Sequence, residues 1–586
     1  MNTKSLRGLI AAAAAVLVIG ATTAAPATAT NVTLPGSGDP VVMQAGNRYF
    51  PRDDQGRAFV MHGFNIKLHG DRLNEVTPDV LAGMRENGFT VLRLATFWAD
   101  LEPTQGTWNE TYVEDLRRIL RDADQIGMKV VLTMHQDSYS TLVGGYGIPD
   151  WTTRTDGLVY ADTPIPCTDA ANQRAWHHFY EDTDIQQAQV AAWQKMVAEF
   201  KDEPALYGYD LLNEPCGQMN PGDSFNSALT RVEQTQITPM LQRLTNAIRA
   251  TDTHTWIFLE GAFALTSSLS GPTALGPVSD PTGRQIYAPH IYDLGMESGA
   301  DWNPASPFVS NYFSTIGDYG AARGIPTIVF EWGPQQPKLP NAADYVHQVL
   351  SGADSAVAGW SAFAWCKALG GWCQLDSNGN PGAGMTDTVQ IYPVQVAGRP
   401  MKIEGDYAAG VSNVTVDPER AGATGPTTFY FPLRRFPNGP AVSVDLPSDR
   451  WNWTFDKSTQ EVAVQVLGDD TYTITVREAG EEPERPTTTT GPNNTTTTAP
   501  SSTTGSTTSQ PTTTRPGTTN PTTTRPGGSG TTGTTNPNSP GGNTGNTPSG
   551  SLPRTGTPAT TLALVAVALL ATGAAIATAR RLSTGN

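Results

Sequence analysis

Charge is sparse in this chain, and positive charge sparser still. Asp, Glu, Lys and Arg make up 16% of 586 residues, with 38 Lys and Arg against 55 Asp and Glu, a formal net charge of −17. So acidic a chain is a poor partner for nucleic acid, and none is expected. Cysteine is rarer: Cys167, Cys216, Cys366 and Cys373 are the only four. They show no C-x-x-C spacing and no histidine beside them, which argues against a metal site built from them. In an exported chain four cysteines allow three pairings. Cys366 and Cys373 are near enough in sequence to close a small loop, while a Cys167–Cys216 pair is left open. Large apolar residues are almost missing from residues 481–551, where Thr, Pro, Gly, Ser and Asn dominate. Such a stretch cannot offset its ordering entropy by burial and reads as a flexible, partly polyproline-like stalk.

The two ends do carry apolar runs. Lys4 and Arg7 precede Leu9 to Ile19, and Ala27-Thr28-Ala29 supplies a small-x-small cleavage pattern, so residues 1–29 read as a secretory signal peptide. Beyond the stalk, residues 552–586 hold Leu552-Pro553-Arg554-Thr555-Gly556, an apolar span from Ala559 to Ala579, and Arg580-Arg581. This resembles the sorting signal that sortases of Gram-positive bacteria cut between Thr555 and Gly556, joining the threonine to peptidoglycan. The other reading is a membrane anchor with Arg580 and Arg581 inside. Either places the globular part outside the cell, secreted and held at the cell wall or membrane. At roughly 3 Å per residue, the stalk would carry it through a thick wall.

Between the ends, short apolar runs recur at Val60–Ile66, Thr90–Phe97, Lys129–Met134, Leu206–Leu212, Trp256–Glu260, Gln285–His290, Thr327–Phe330 and Gly359–Trp365. Helix-like segments separate most of them. The clearest is Tyr112 to Gly127, where Val113, Leu116, Ile119, Leu120, Ala123 and Ile126 keep helical spacing and Gly127 ends the run; Phe225 to Arg249 and Ala342 to Leu350 behave similarly. This α/β alternation predicts an eight-stranded (β/α)8 TIM barrel over residues 30–390. After Ile391 the period changes. Val411–Val416, Thr427–Phe431, Ala441–Leu446, Glu461–Leu467 and Thr471–Val476 alternate or run apolar between turn residues, which predicts a C-terminal antiparallel β-sandwich domain over 391–480.

Polar residues gather at the carboxyl ends of the runs, where the catalytic loops of such a barrel converge. The second run leads into Arg93, the third into His135-Gln136-Asp137, the fourth into Asn213-Glu214, the sixth into His290 and Tyr292, the seventh into Glu331 and the eighth into Trp365. Two carboxylates brought together there suggest glycoside hydrolysis. Asp210, inside the fourth run, reads as structural.

This ordered set resembles glycoside hydrolase family 5, the retaining β/α-barrel glycosidases. A finer resemblance is to the endoglycoceramidases. It rests on Met134-His135-Gln136-Asp137, Gly147-Ile148-Pro149-Asp150-Trp151, Ala175-Trp176 and Gly208-Tyr209-Asp210-Leu211-Leu212-Asn213-Glu214-Pro215, with Lys67 just past the first strand. The chain departs from that pattern at Leu142-Val143-Gly144-Gly145-Tyr146, where a cysteine would be expected. The resemblance implies Glu331 as nucleophile and Glu214 as acid/base, about 5 to 5.5 Å apart. Arg93 and Tyr292 should hold Glu331 ionised, while burial and the Glu331 charge should keep a proton on Glu214. Asn213 would meet the 2-hydroxyl of the attacked sugar, and His135 and His290 would orient carboxylates or hydroxyls. Lys67 and Asp137 would hold the outer hydroxyls, Trp365 would form an apolar platform, and Trp176 completes the substrate-binding set.

The implied substrate is a glycosphingolipid, cut between glycan and ceramide. The uncharged, apolar stretch from Gly261 to Val278 is the candidate lining for the lipid groove. No metal or organic cofactor is implied, since two carboxylates can do this chemistry unaided, and the chain is expected to act as a monomer. The competing readings are a family 5 endo-β-glucanase or mannanase acting on polysaccharide, and a non-catalytic glycan-binding wall adhesin.

Overall fold

The computed structural model describes residues 40–263, 272–418 and 423–480. The expected leader (1–29), stalk (481–551) and sorting signal (552–586) lie outside the described residues, as does the centre of the apolar stretch between Gly261 and Val278. Among the described residues, no helix is long and apolar enough to cross a membrane.

Eight short parallel strands form the barrel: β1 (Met61–Ile66), β2 (Val91–Thr96), β3 (Lys129–Met134), β4 (Leu206–Asp210), β5 (Trp256–Leu259), β6 (Gln285–Tyr287), β7 (Glu331–Trp332) and β8 (Gly359–Ala362). A continuous ladder runs β8-β1-β2-β3-β4-β5-β6. The ring closes through β7: Tyr287 bridges Thr327, His290–Ile291 pairs with Glu331–Trp332, and Val329 bridges Trp360. The seventh apolar run therefore supplies isolated bridges, and its ladder begins only at Glu331.

Alternation along the strands sorts the side chains. Leu92, Leu94, Ile257 and Leu259 point outward into the core shared with the helices. Val91, Val131, Phe258 and Phe330 belong to a second core that runs on into the sandwich through Val394, Phe429, Val462 and Ile474. The interior positions nearer the carboxyl ends are polar: Asn65, Arg93, Thr133, Asp210 and Glu260 are all buried. The barrel is thus dry at its amino end and charged at its mouth.

The surrounding helices follow the expected pattern. Glu110–Gln125 starts at Asn109, whose side chain accepts the Tyr112 N–H, and buries Val113, Leu116, Ile119, Leu120 and Ala123. The predicted helix Phe225–Arg249 is interrupted by a π-turn at Glu233–Ile237, just before Pro239, whose ring cannot continue an ordinary turn.

The C-terminal domain has two antiparallel sheets. The four-stranded one joins Arg399–Asp406, Val411–Asp417, Tyr472–Glu478 and Pro440–Val444. The five-stranded one includes Tyr392–Val396 and, unexpectedly, Ala58–Phe59 from before β1, which pairs with Gln395 and Val396. Tyr392 OH donates to the Gly88 carbonyl (2.7 Å) and Tyr430 OH to that of Arg85 (2.8 Å). Both acceptors precede β2, so the sandwich sits under the amino end of the barrel and leaves the mouth free.

Candidate active site

Arg93, wholly buried on β2, is the hub of the mouth. Its Nη1 donates to Glu331 Oε1 and to Asn65 Oδ1 (2.9 Å), its Nε to Asp210 Oδ2 (2.9 Å), and its Nη2 to Asn213 Oδ1 (2.8 Å) and Glu260 Oε1 (2.7 Å). A charge buried this deeply persists only when paired on all sides. Tyr292 OH donates to the other oxygen of Glu331 (3.1 Å).

Glu214 follows β4 in a left-handed backbone conformation (φ +42°), uncommon for a residue with a side chain. Its backbone N–H donates to Glu260 Oε2 (2.8 Å), and its carbonyl accepts from Gln136 Nε2 (2.9 Å). Its side chain retains 16% exposure and meets His290 Nδ1 at 2.8 Å. One oxygen of Glu214, one of Glu331 and one nitrogen of His290 all lie within 4.8 Å of one another. Groups this close could ligate a cation, but His290 already brings positive charge between the carboxylates.

The electrostatics pull the two glutamates apart. Burial raises Glu214 above its ordinary value, and contact with His290 offsets this only in part. Burial would raise Glu331 too, but the charges of His290 and Arg93 outweigh it and hold the carboxyl below the usual range. His290 is driven well above an ordinary histidine: burial opposes its charge, and Glu260, Glu331 and Glu214 overcome the penalty. Asp210 is pushed up to about 8 by burial and the neighbouring Glu260. The side chains of Arg93, His290 and Lys67 thus lie among the carboxyl groups of Asp137, Asp210, Glu214, Glu260 and Glu331.

Lys67 Nζ is ion-paired with Asp137 Oδ2, and His135 Nε2 lies 3.7 Å from Asp137 Oδ1. Burial opposes the Asp137 charge, but Lys67 and His135 more than compensate and depress its carboxyl. Burial also lowers His135, whose Nδ1 has no hydrogen-bond partner. Gly145 and Gly147 let the next turn press on the backbone of His135–Ser138, where a Cβ at either position would collide. Asn213 is spent partly on structure, since its Oδ1 accepts from Arg93 and one Nδ2 hydrogen goes to the Gln136 carbonyl (3.1 Å).

The structure thus brings together Lys67, Arg93, His135, Asp137, Asn213, Glu214, His290, Tyr292 and Glu331. It does not bring Trp176 or Trp365 to the mouth. Trp176 has no exposed surface and packs among Tyr139, Phe179 and Tyr180. Trp365 lies beyond the end of β8, and its ring turns outward against Phe64 and Phe89 (centroids 5.2 and 5.7 Å). The aromatic facing the Lys67–Asp137 pair is Phe363, its ring centroid 6.0 Å from Lys67 Nζ. Sequence reasoning also passed over Glu260, although it shares the inward parity of Trp256 and Phe258 at the end of β5. Of the described flanks of the apolar stretch, Ala262 and Leu275 are buried in the core, while Phe263 and Val278 are half-buried against it.

A parallel barrel whose mouth holds two carboxyls in close reach, one with its pKa raised and the other with its pKa lowered, defines a glycosidase-type site. The chain belongs to glycoside hydrolase family 5: the model described as "Cellulase (glycosyl hydrolase family 5)" matches residues 52–368, and that of the "Glycoside hydrolase family 5 C-terminal domain" matches 391–477. Among relatives, Endoglycoceramidase I of Rhodococcus hoagii is 25% identical over 419 residues, spanning 67% of this chain and 80% of its own. Endoglycoceramidase of Hydra vulgaris is 23% identical over 442 residues, spanning 66% and 80%. The solved lactosyl-enzyme intermediate of endo-glycoceramidase II from Rhodococcus sp. superposes with a TM-score of 0.63 at 25% identity, covering 74% of this chain and 100% of that one.

Proposed function

We infer that the chain is a retaining endo-β-glycosidase that cleaves the bond between the glycan and the ceramide of glycosphingolipids, releasing both. The reading is carried by the Glu214–Glu331 pair, close together and with opposed proton affinities. The ceramide part is supported by the endoglycoceramidase relatives. Glu331 attacks the anomeric carbon while Glu214 gives its proton to the departing ceramide oxygen. Water then enters, Glu214 takes its proton, and the glycan leaves Glu331 with its configuration retained. The closeness of the carboxyls leaves no place for water between Glu331 and the sugar in the first step, which is what separates retention from inversion.

Lys67 and Asp137 are suited to the sugar's outer hydroxyls, the free Nδ2 hydrogen of Asn213 to its 2-hydroxyl, and Phe363 to its apolar face. Outside the cell, the enzyme is held at the wall by the sorting signal, with sortase cutting between Thr555 and Gly556 and joining Thr555 to peptidoglycan. The leader, the stalk and the basic terminus support this. It acts as a monomer.

The test is incubation with a glycosphingolipid panel and with β-glucan and mannan in detergent, products being identified by mass. Intact glycan together with free ceramide is expected. Polysaccharide fragments with untouched lipid would overturn the ceramide assignment, and no product from any would overturn the enzyme reading.

A further inference from the structure

We propose that Trp372, on the hairpin closed by the Cys366–Cys373 disulfide, is a positioning residue for Glu331, acting through Tyr292. The inference rests on Glu331 being the nucleophile. The Trp372 ring meets Tyr292 edge-on at 4.8 Å between centroids and 74° between planes. Tyr292, buried and kept as a neutral donor, reaches Glu331 Oε2 at 3.1 Å.

The Trp372 backbone is in the left-handed region (φ +75°), a costly conformation for a bulky residue that must be imposed from outside. Its N–H donates to the Gln335 carbonyl (3.3 Å), and its own carbonyl accepts from Ala364 N–H (2.9 Å) and Gln374 Nε2 (3.1 Å). Gln374 has no exposed surface. The same Nε2 lies 2.9 Å from the Pro334 carbonyl, just past Glu331, and 2.8 Å from that of Phe363 at the end of β8. The next residue, Cys373, is tied to Cys366. A disulfide and one buried amide therefore hold an indole against the Tyr292 ring, whose hydroxyl contacts the oxygen of the nucleophile that Arg93 does not take. With the indole in place, that hydroxyl cannot swing away, and its hydrogen bond stabilises the ionised form of Glu331.

The experiment compares Trp372→Ala, Trp372→Phe and the double variant Cys366→Ser/Cys373→Ser with the parent, using a dinitrophenyl β-glycoside. Its leaving group needs no proton, so the acidic limb of kcat/KM reports Glu331. Trp372→Ala should lower kcat by roughly tenfold with little change in KM and move the acidic limb to higher pH. Trp372→Phe, still able to pack on Tyr292, should recover most of both. The double variant should move the limb in the same direction, and unfolding midpoints identify any variant that fails to fold. An unmoved limb in folded Trp372→Ala overturns the proposal, whether KM rises, which would make Trp372 a substrate contact, or nothing changes. Should Trp372→Ala not fold, an unmoved limb in the double variant does the same. If Tyr292→Phe leaves the limb in place, the assignment of Glu331 fails with it; if only Tyr292→Phe moves it, the bracing alone is wrong.

Discussion

Glu260 accepts the backbone N–H of Glu214 through Oε2 (2.8 Å) and an Arg93 Nη2 hydrogen through Oε1 (2.7 Å), so one carboxylate links the backbone of the acid/base candidate to the guanidinium that grips the nucleophile candidate. Its Oε1 is also 3.3 Å from His290 Nε2. Glu260→Gln would place an amide N–H against one of these donors and remove the charge that sustains the His290 cation. The expected result is a fall in kcat of about a hundredfold with KM little altered, by displacement of groups that must be placed to within an ångström. Steady-state kinetics on the folded variant checks it.

Glu214→Gln should separate the two chemical steps. Hydrolysis of glycosides with poor leaving groups should nearly cease, while an activated dinitrophenyl glycoside should still form the covalent intermediate, since its phenolate needs no proton. Azide, which needs no general base, should then speed turnover and yield a β-glycosyl azide. Failure of azide to accelerate the variant would remove Glu214 from the acid/base role.

The pH profile follows from the opposed shifts. Glu331 is depressed, so its active, ionised form persists above a pKa lower than the ordinary 4.5. Glu214 is raised, so its proton is lost only above that ordinary value. The parent enzyme should give a bell in kcat/KM with an acidic limb from Glu331 and a basic limb from Glu214. Glu214→Gln, assayed with the activated substrate, should lose the basic limb and keep the acidic one.

Asp354 couples pH to stability where barrel and sandwich meet. It accepts from Tyr407 OH (2.8 Å) and its carbonyl from Arg48 Nη1 (2.6 Å), and burial raises its carboxyl to about 6. A carboxyl with a raised folded-state pKa binds its proton more tightly when folded. Its contribution is therefore full below the unfolded value near 3.8 and is lost as pH rises through about 6. Asp354→Asn should flatten that part of the stability curve, read as unfolding midpoint against pH.

The Cys167–Cys216 bridge spans 49 residues and ties the segment before the helix Ala170–Glu181 to the loop that follows Glu214. Loop-closure entropy puts its contribution at about 4 kcal/mol before native-state strain is counted. Cys167→Ser/Cys216→Ser should lower the denaturant midpoint accordingly, with the m-value as a check on the denatured state.

The barrel was legible because each strand carries an apolar run and most mouth residues come at or just past its end, a pattern set by alternation and burial; Arg93, the third of six residues on β2, is placed by inward parity instead. Arg93, Glu214 and Glu331 could be found by position alone. Glu260 obeyed the same rule, yet no motif marks it and its partners are distant in sequence. The aromatics misled for a physical reason. β8 ends at Ala362, so the alternation that would aim Trp365 inward stops before it, and Phe363 takes the inward place. Trp176 belongs to a helix whose inner face is core, and its neighbours in space, Tyr139, Phe179 and Tyr180, decide its burial in a way its local motif does not express.

The covalent step gives the most direct measurement. Incubation with a 2-deoxy-2-fluoro β-glycoside bearing a dinitrophenyl leaving group slows release of the intermediate more than its formation, so the adduct accumulates, and proteolysis with mass mapping locates it. A single glycosyl adduct on Glu331, absent from Glu331→Gln, is the predicted result. An adduct on another residue, or turnover that proceeds in Glu331→Gln, would contradict the account.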